Sequence, residues 1–215
     1  MIALGRGIAA LLLIVPLLAC AEPAPEQYQA GKDYELISPP QPTDSGASVE
    51  VKEVFWYGCP HCFHMEPALT AWLKHKPAAA TFVRMPAAFN PSWELLARAY
   101  YAAEELDIVA KVHEPLFKAI HEEHKPMGTD QDVIAFFTAH GVKQADIVNA
   151  MSSFSVETKV RHTKQMAERY GLSGVPAIIV NGKYRTNVSM AGSNDAVFKV
   201  VDFLIKKESA AAHGK

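Results

Sequence analysis

VEVKEVFWYGCPHC, residues 49–62, puts a strand, a break and a pair of cysteines in immediate succession. From Val49 to Trp56 the residues are largely β-branched or aromatic, and the apolar run is nearly continuous at its end, as in a buried strand. Gly58-Cys59-Pro60 interrupts that run. The spacing beyond it predicts a helix from Pro60 to about Lys76, because proline is tolerated in a first turn, where its missing N–H would have no partner anyway. The two cysteines therefore stand where a strand hands over to a helix.

Outward from this junction, Ala80 to Met85 (ATFVRM) reads as the next strand. From Ser92 to about Gly171 nearly everything has helical period, enough for four or five helices. Trp93, Leu96, Ala97, Tyr100 and Ala103 line one face. Val133, Phe136, Phe137 and His140 line another, behind Thr129 as cap with Asp132 three residues on, and Gly141 closes that helix. A further helix follows Ser155 and ends at Gly171. Strand character returns at Ala177–Val180 and Lys183–Thr186 around Asn181-Gly182, a strong hairpin signal, and a last helix carries Val197, Val200, Val201, Leu204 and Ile205 on one face. Lys206 and Lys207 suit the negative end of its dipole.

This order describes an α/β fold with an inserted all-helical domain. The expected units are 49–90 and 171–207 for the α/β part, 91–170 for the insertion and 208–215 for a flexible tail. Residues 20–48, rich in Pro, Ala, Gln and Ser, read as a flexible tether with one short strand from Tyr34 to Ile37.

The 215 residues are 49% hydrophobic and 20% charged, a globular composition, and the net charge of −2 leaves no basic excess for a phosphate backbone, so nucleic-acid binding is not expected. Residues 1–19 have one cation at Arg6, an apolar stretch from Ile8 to Leu18 and then small residues, the pattern of a secretory signal peptide. Export places the chain in a compartment where disulfides persist. Two cleavage readings stay open. Leu17-Leu18-Ala19-Cys20 resembles a lipobox, which would make Cys20 a lipidated first residue and tether the protein to a membrane, whereas Ala19-Cys20-Ala21 fits ordinary cleavage and would discard it. The first is preferred, since a cysteine is otherwise an odd residue to place there. Either way the domain keeps only Cys59 and Cys62.

Zinc is a poor reading of Cys59-Pro60-His61-Cys62, because a structural site needs four ligands and no second cysteine pair exists; His61 and His64 are crowded on the same turn. No metal and no cofactor is expected. A static disulfide between neighbours so close would constrain the unfolded chain little. Redox chemistry fits better. Cys59 sits at a helix start, where unpaired N–H groups and the positive end of the dipole favour thiolate over thiol, and His61 adds to the effect. Cys62, a turn inside, should be shielded. Cys59 is thus the sulfur that meets a client, and Cys62 its internal partner. Each unit by which the Cys59 pKa falls below ambient pH adds about 1.4 kcal/mol, roughly 30 mV for a two-electron couple, to the oxidising power of the disulfide. A dithiol oxidase is expected. The rivals are a disulfide isomerase or reductase, and a binding module with idle cysteines.

FWYGCPHC, the later GVPA and the helical block between them resemble the DsbA family of bacterial thiol:disulfide oxidoreductases, over about residues 49–207. The resemblance implies a thioredoxin-like fold interrupted by the helical domain. It also implies a periplasmic location, a client-facing groove, reduced or unfolded exported proteins as clients, and reoxidation by a quinone-linked membrane partner of the DsbB type. Val175-Pro176 matches the family's cis-proline loop, whose backbone offers an edge on which an extended client can pair; Pro60, Val175 and Pro176 are the expected substrate-binding residues. Glu53 matches the family's interior acid and could relay protons to or from Cys62; strand alternation alone does not fix its face, and the alternative is an acid turned to solvent at an edge. Gly58 departs from the bulkier residue family members can carry, which leaves client selectivity unassigned. No separate dimerisation segment follows the tether, so a monomer is expected.

Overall fold

β2 (Val49–Phe55) is the centre of the molecule, and its residues are buried apart from half-covered Lys52. Burial on both faces is why its sequence runs apolar instead of alternating. In the computed structural model, which describes residues 26–213, β2 belongs to a five-stranded sheet. Its other strands are β1 (Glu35–Leu36), β3 (Ala80–Pro86), β4 (Ala177–Val180) and β5 (Tyr184–Thr186), in the order β1-β5-β4-β2-β3. β3 runs parallel to β2, while β4 runs antiparallel to β2, β5 to β4, and β1 to β5. The signal peptide read at 1–19 and the lipidation read at Cys20 lie outside the described residues.

The parallel β2–β3 pair needs a crossover, and α1 (Pro60–Leu73) supplies it. The helices of the insertion are α2 (Pro91–Glu105), α3 (Val109–His121), α4 (Asp130–Ala139), α5 (Gln144–Met151) and α6 (Phe154–Arg169). After the hairpin come α7 (Val188–Ala191) and α8 (Asn194–His213). Thr129 and Asp132 form the expected reciprocal cap of α4, but α6 is capped by Ser153, whose hydroxyl accepts from Val156 N–H, and not by Ser155.

Three apolar clusters tie these parts together. Met65, Leu69 and Trp72 of α1 meet Val197, Val201 and Leu204 of α8 on one face of the sheet. On the other face Val54, Met85 and Ile179 meet Met166 and Tyr170 at the end of α6. The third core fills the insertion and reaches Phe55, Tyr57, Cys59 and Cys62. Both cysteines therefore lie at the seam between the sheet unit and the helical one.

Two expected boundaries move. Residues 26–48, read as a tether, are docked along the sheet: Tyr34 and Ile37 are buried, Ile37 N–H donates to Lys183, and Gln41 N–H to Gly182. Their Pro-rich composition hid the few large side chains that do the anchoring. The tail expected from 208 is instead the last turns of α8, held because buried Glu208 accepts from Asn181, Lys183 and Tyr184.

Asn181 and Gly182 both take positive φ, 52° and 62°, the turn geometry that their dipeptide favours. A Cβ at Gly182 would also overlap the Gln41 carbonyl. Gly182→Ala is therefore expected to lower stability by about 1–3 kcal/mol, read as an earlier denaturant midpoint, because it strains the turn and undocks the 26–48 segment together.

Candidate active site

Cys59 occupies the N-cap of α1 in extended conformation (φ −90°, ψ 115°), and Pro60 opens the helix. Its N–H donates back to the Trp56 carbonyl at 3.0 Å, closing the turn that follows β2. This places the Cys59 sulfur over the first turn of α1, facing the backbone N–H groups of His61 and Cys62. Both cysteines are free thiols here. Cys59 was expected to be the exposed sulfur, yet the residue is only 8% exposed; it is the more open of the two, since Cys62 is at 0%. The cover comes from the loop before β4, whose Val175 carbonyl accepts from Cys59 Sγ at 3.5 Å.

The two sulfurs are electrostatically unequal. The Cys59 thiol is lowered to about 6, chiefly because the Cys62 thiol donates a hydrogen bond to it; burial works against this, and the N–H groups of Cys62 and His61 and the nearby imidazole of His61 support it. The helix start and His61, the causes expected from the sequence, are therefore secondary to the partner thiol, which a linear motif does not reveal as a donor. Burial pushes the Cys62 thiol far up.

The Val175–Pro176 peptide bond is cis. Val175 is half-buried and Pro176 buried, while Pro60 and His61 are exposed. Beside them runs a groove of about 820 Å³ whose walls include His61, His64, Ser173, Val175, Pro176 and Asn194. His61, two residues from Cys59, thus lines an open channel of mixed polar and apolar character. Among the described residues no group of three His, Cys, Asp or Glu side chains is arranged to hold a metal ion.

Glu53 lies beneath α1. Register pairs it with Arg84 on β3 and Ile178 on β4, and the carboxylate is fully buried. Strand alternation alone left its face open; the structure turns it inward, where Arg84 Nε donates to Oε2 at 2.9 Å. Arg84 is shared, since its Nη2 donates to Glu66 Oε2 at 3.2 Å. Burial and the competing Glu66 carboxylate outweigh that half-share of a guanidinium and push the Glu53 carboxyl up to about 8. Glu53 Oε1 has no hydrogen-bond partner among the described residues.

The sequence pattern of the DSBA-like thioredoxin domain matches residues 50–204. The Pseudomonas aeruginosa thiol:disulfide interchange protein DsbA is 37% identical over 203 residues, which cover 94% of this chain and 96% of that one. The chain belongs to the DsbA family. Its Burkholderia cepacia relative, of the same name, is 37% identical over 92% of this chain and 94% of its own length. Among solved structures, Pseudomonas aeruginosa DsbA superposes with a TM-score of 0.83 at 38% identity, covering 86% of this chain and 97% of that one. The Xylella fastidiosa DsbA does so with 0.80 at 29% identity, covering 86% and 100%. The fold is accordingly the DsbA-like thioredoxin fold with its helical insertion.

Within this DsbA-family site, Gly58 has a reason of its own. A Cβ there would overlap the Trp56 indole, which lies across the glycine. Trp56 stacks on Trp93 of α2 (centroids 4.2 Å, planes 5° apart), and Trp93 on Phe89. The surface next to Cys59 that a side chain at 58 would have shaped is therefore shaped by an aromatic stack of Trp56 from the same turn, Trp93 of α2 and Phe89 from the loop before it. Glu66, Arg84 and His113 also belong to this site, although no sequence motif marks them. Glu66 follows Cys62 by one helical turn and Arg84 follows from the parallel register, so both were recoverable; His113 comes from α3 in the insertion and had no local signal.

Proposed function

We propose that the chain oxidises the dithiols of reduced, exported proteins by donating a Cys59–Cys62 disulfide. The observation that carries this reading is the inequality of the two sulfurs: one is held as an anion near neutral pH, the other is kept from ionising by burial. Stabilising the Cys59 thiolate stabilises the reduced protein, and so makes its disulfide a strong acceptor of electrons.

In the first step a client thiolate attacks Cys59 Sγ. The Cys59–Cys62 bond breaks, a client–Cys59 bond forms, and the electron pair goes to Cys62, which takes up a proton because its anion is disfavoured. In the second step the client's other thiolate attacks the client sulfur of this mixed disulfide, and Cys59 leaves as thiolate. Two electrons have then passed from client to protein. Glu53 is suited to deliver the Cys62 proton: a carboxyl with a pKa of about 8 is still protonated at pH 7.

Val175 and Pro176, with Pro60 at the rim, form the client-binding edge, and the groove extends it. An edge of free backbone favours recognition through a client's backbone over recognition of one side chain, which suits an enzyme serving many sequences. The reduced enzyme needs an oxidant, for which a quinone-linked membrane protein of the DsbB type has the right chemistry. Location in the periplasm, and tethering there through a lipidated Cys20, complete the reading; acylation is checked by intact mass. The protein acts as a monomer in this scheme.

Cys62→Ser tests the assignment of roles. It leaves Cys59 with no internal partner, so a peptide with a single cysteine, supplied as a mixed disulfide with a small leaving thiol that is then washed away, is expected to remain attached to Cys59, as an adduct stable without reductant and released by it. Attachment at no residue, or release at the wild-type rate, would overturn the roles given to the two cysteines.

A further inference from the structure

His113 is buried where α3 of the insertion crosses the active-site helix, and it is the link in a chain of polar contacts that runs between the two units of the fold. Its Nδ1 is 2.8 Å from the Tyr57 hydroxyl, and its Nε2 is 3.2 Å from Glu66 Oε1. The other Glu66 oxygen accepts from Arg84 at 3.2 Å, and Arg84 Nε reaches Glu53 at 2.9 Å. The partners fix the tautomer. A carboxylate can only accept, so Nε2 carries the hydrogen, and Nδ1 of the neutral ring accepts from the Tyr57 hydroxyl. Phe55 and Phe117 pack edge-on against the ring, with centroids 5.3 and 5.2 Å away, and hold its orientation.

We propose that His113 is a positioning residue for exchange at Cys62: it holds Glu66 as the competitor of Glu53 for Arg84, so that Glu53 keeps its proton for the buried sulfur. The inference rests on the proton-delivery role given to Glu53 above. It follows from how one guanidinium is divided. With Nε2–H donating to it, Glu66 stays ionised and draws part of the Arg84 charge toward α1. Without that donor Glu66 takes up a proton more readily, Arg84 turns wholly to Glu53, and Glu53 becomes the stronger acid. Directions of titration agree: hydrogen bonding to His113 and Arg84 holds Glu66 low against its own burial, and the Glu66 charge is second only to burial in raising Glu53. The groups facing His113 are Tyr57 before α1, Glu66 on α1, Arg84 on β3 and Tyr100 on α2, with Glu114 beside it on α3; Glu53 faces Arg84, Glu66, Cys62, Tyr57 and Tyr100. Burial keeps His113 itself neutral around pH 7 by lowering it, so the imidazole acts as a fixed donor and does not change charge there.

The test uses His113→Phe, which suits the aromatic cage but cannot hydrogen bond, and His113→Gln, whose amide can reproduce the donor to Glu66. Two quantities are read across pH in the full-length protein: the Glu53 carboxyl midpoint by carbon NMR, and the rate at which a dithiol peptide reduces the oxidised protein. In His113→Phe the Glu53 midpoint is expected to fall by roughly half a unit to one unit, and the alkaline limb of the rate profile to fall with it. His113→Gln should restore most of both. A Glu53 midpoint unmoved in His113→Phe, or moved equally in His113→Gln, overturns the inference and leaves the proposed function standing. A midpoint that moves while the rate profile stays fixed overturns the Glu53 relay itself, and the positioning role falls with it. If His113→Phe fails to fold, Tyr57→Phe/His113→Phe removes the orphaned hydroxyl as well and carries the same expectations.

Discussion

A Cys59→Ser protein is expected to oxidise dithiol peptide no faster than buffer alone, while folding as the wild type does and keeping its affinity for extended peptides. Serine is nearly the shape of cysteine and fits the same N-cap, a position serine favours, so the helix start is preserved. What disappears is the one atom that can share electrons with a client. Cys62 cannot substitute: it is fully buried beneath the first turn of α1, and burial resists the anion that exchange requires. Cys62→Ser behaves differently because it spares the attacked sulfur, so the pair of variants separates initiation from resolution. The measurement is peptide oxidation followed by mass, alongside peptide binding to the groove. Residual oxidation by Cys59→Ser above background would return the site to the reading in which the cysteines are idle and the groove alone matters.

How much of this was legible in the sequence depends on whether the deciding contact was local. The junction of β2 and α1 was, because a strand ending in aromatic residues, a glycine and a helix-opening proline are consecutive. The hairpin at Asn181-Gly182 was, because two residues decide it. Glu53 was half legible: its strand could be read, but its face depended on pairing with Arg84, a partner thirty-one residues on. The helical insertion could be read as helices but not as a donor of chemistry. His113 reaches the site only because α3 packs across α1, and helical periodicity says which residues point inward, not what they meet. What surrounds Gly58 was hidden for a similar reason. Its bare surface is filled by Trp56, stacked on Trp93 from a helix in another unit. Residues 26–48 misled by composition, since prolines read as tether although Tyr34 and Ile37 bury as firmly as core residues.

Reduced protein should be more stable than oxidised protein at neutral pH, and the gap should close as acid is added. The Cys59 thiol sits at about 6 in the folded chain against an ordinary value of 9.0, a depressed acid, so its contribution is fully present above 9 and is lost as pH falls through 6. Between those limits the reduced form gains up to about 1.4 kcal/mol of stability per pH unit, because the unfolded chain still holds a proton that the folded chain has released. The oxidised form has no thiol to titrate and gains nothing from this source. Glu53 works in the opposite sense: as a raised acid it makes the fold less favourable as pH rises from the usual carboxylate range toward 8. It is present in both redox forms, however, and cancels to first order in their difference. Subtracting denaturation midpoints of the two forms from about pH 5 to pH 8 therefore isolates Cys59, since Cys62, pushed up by burial, works against the reduced form only as pH approaches 9. The ultraviolet absorbance of the thiolate should rise over the same range with a midpoint near 6. A gap that does not change with pH, with thiolate appearing only near 9, would remove the source of the oxidising power. A gap that grows as described gives that power its origin in the hydrogen bonds of one helix turn, because whatever stabilises the anion of Cys59 in the fold is what a client must supply electrons to reach.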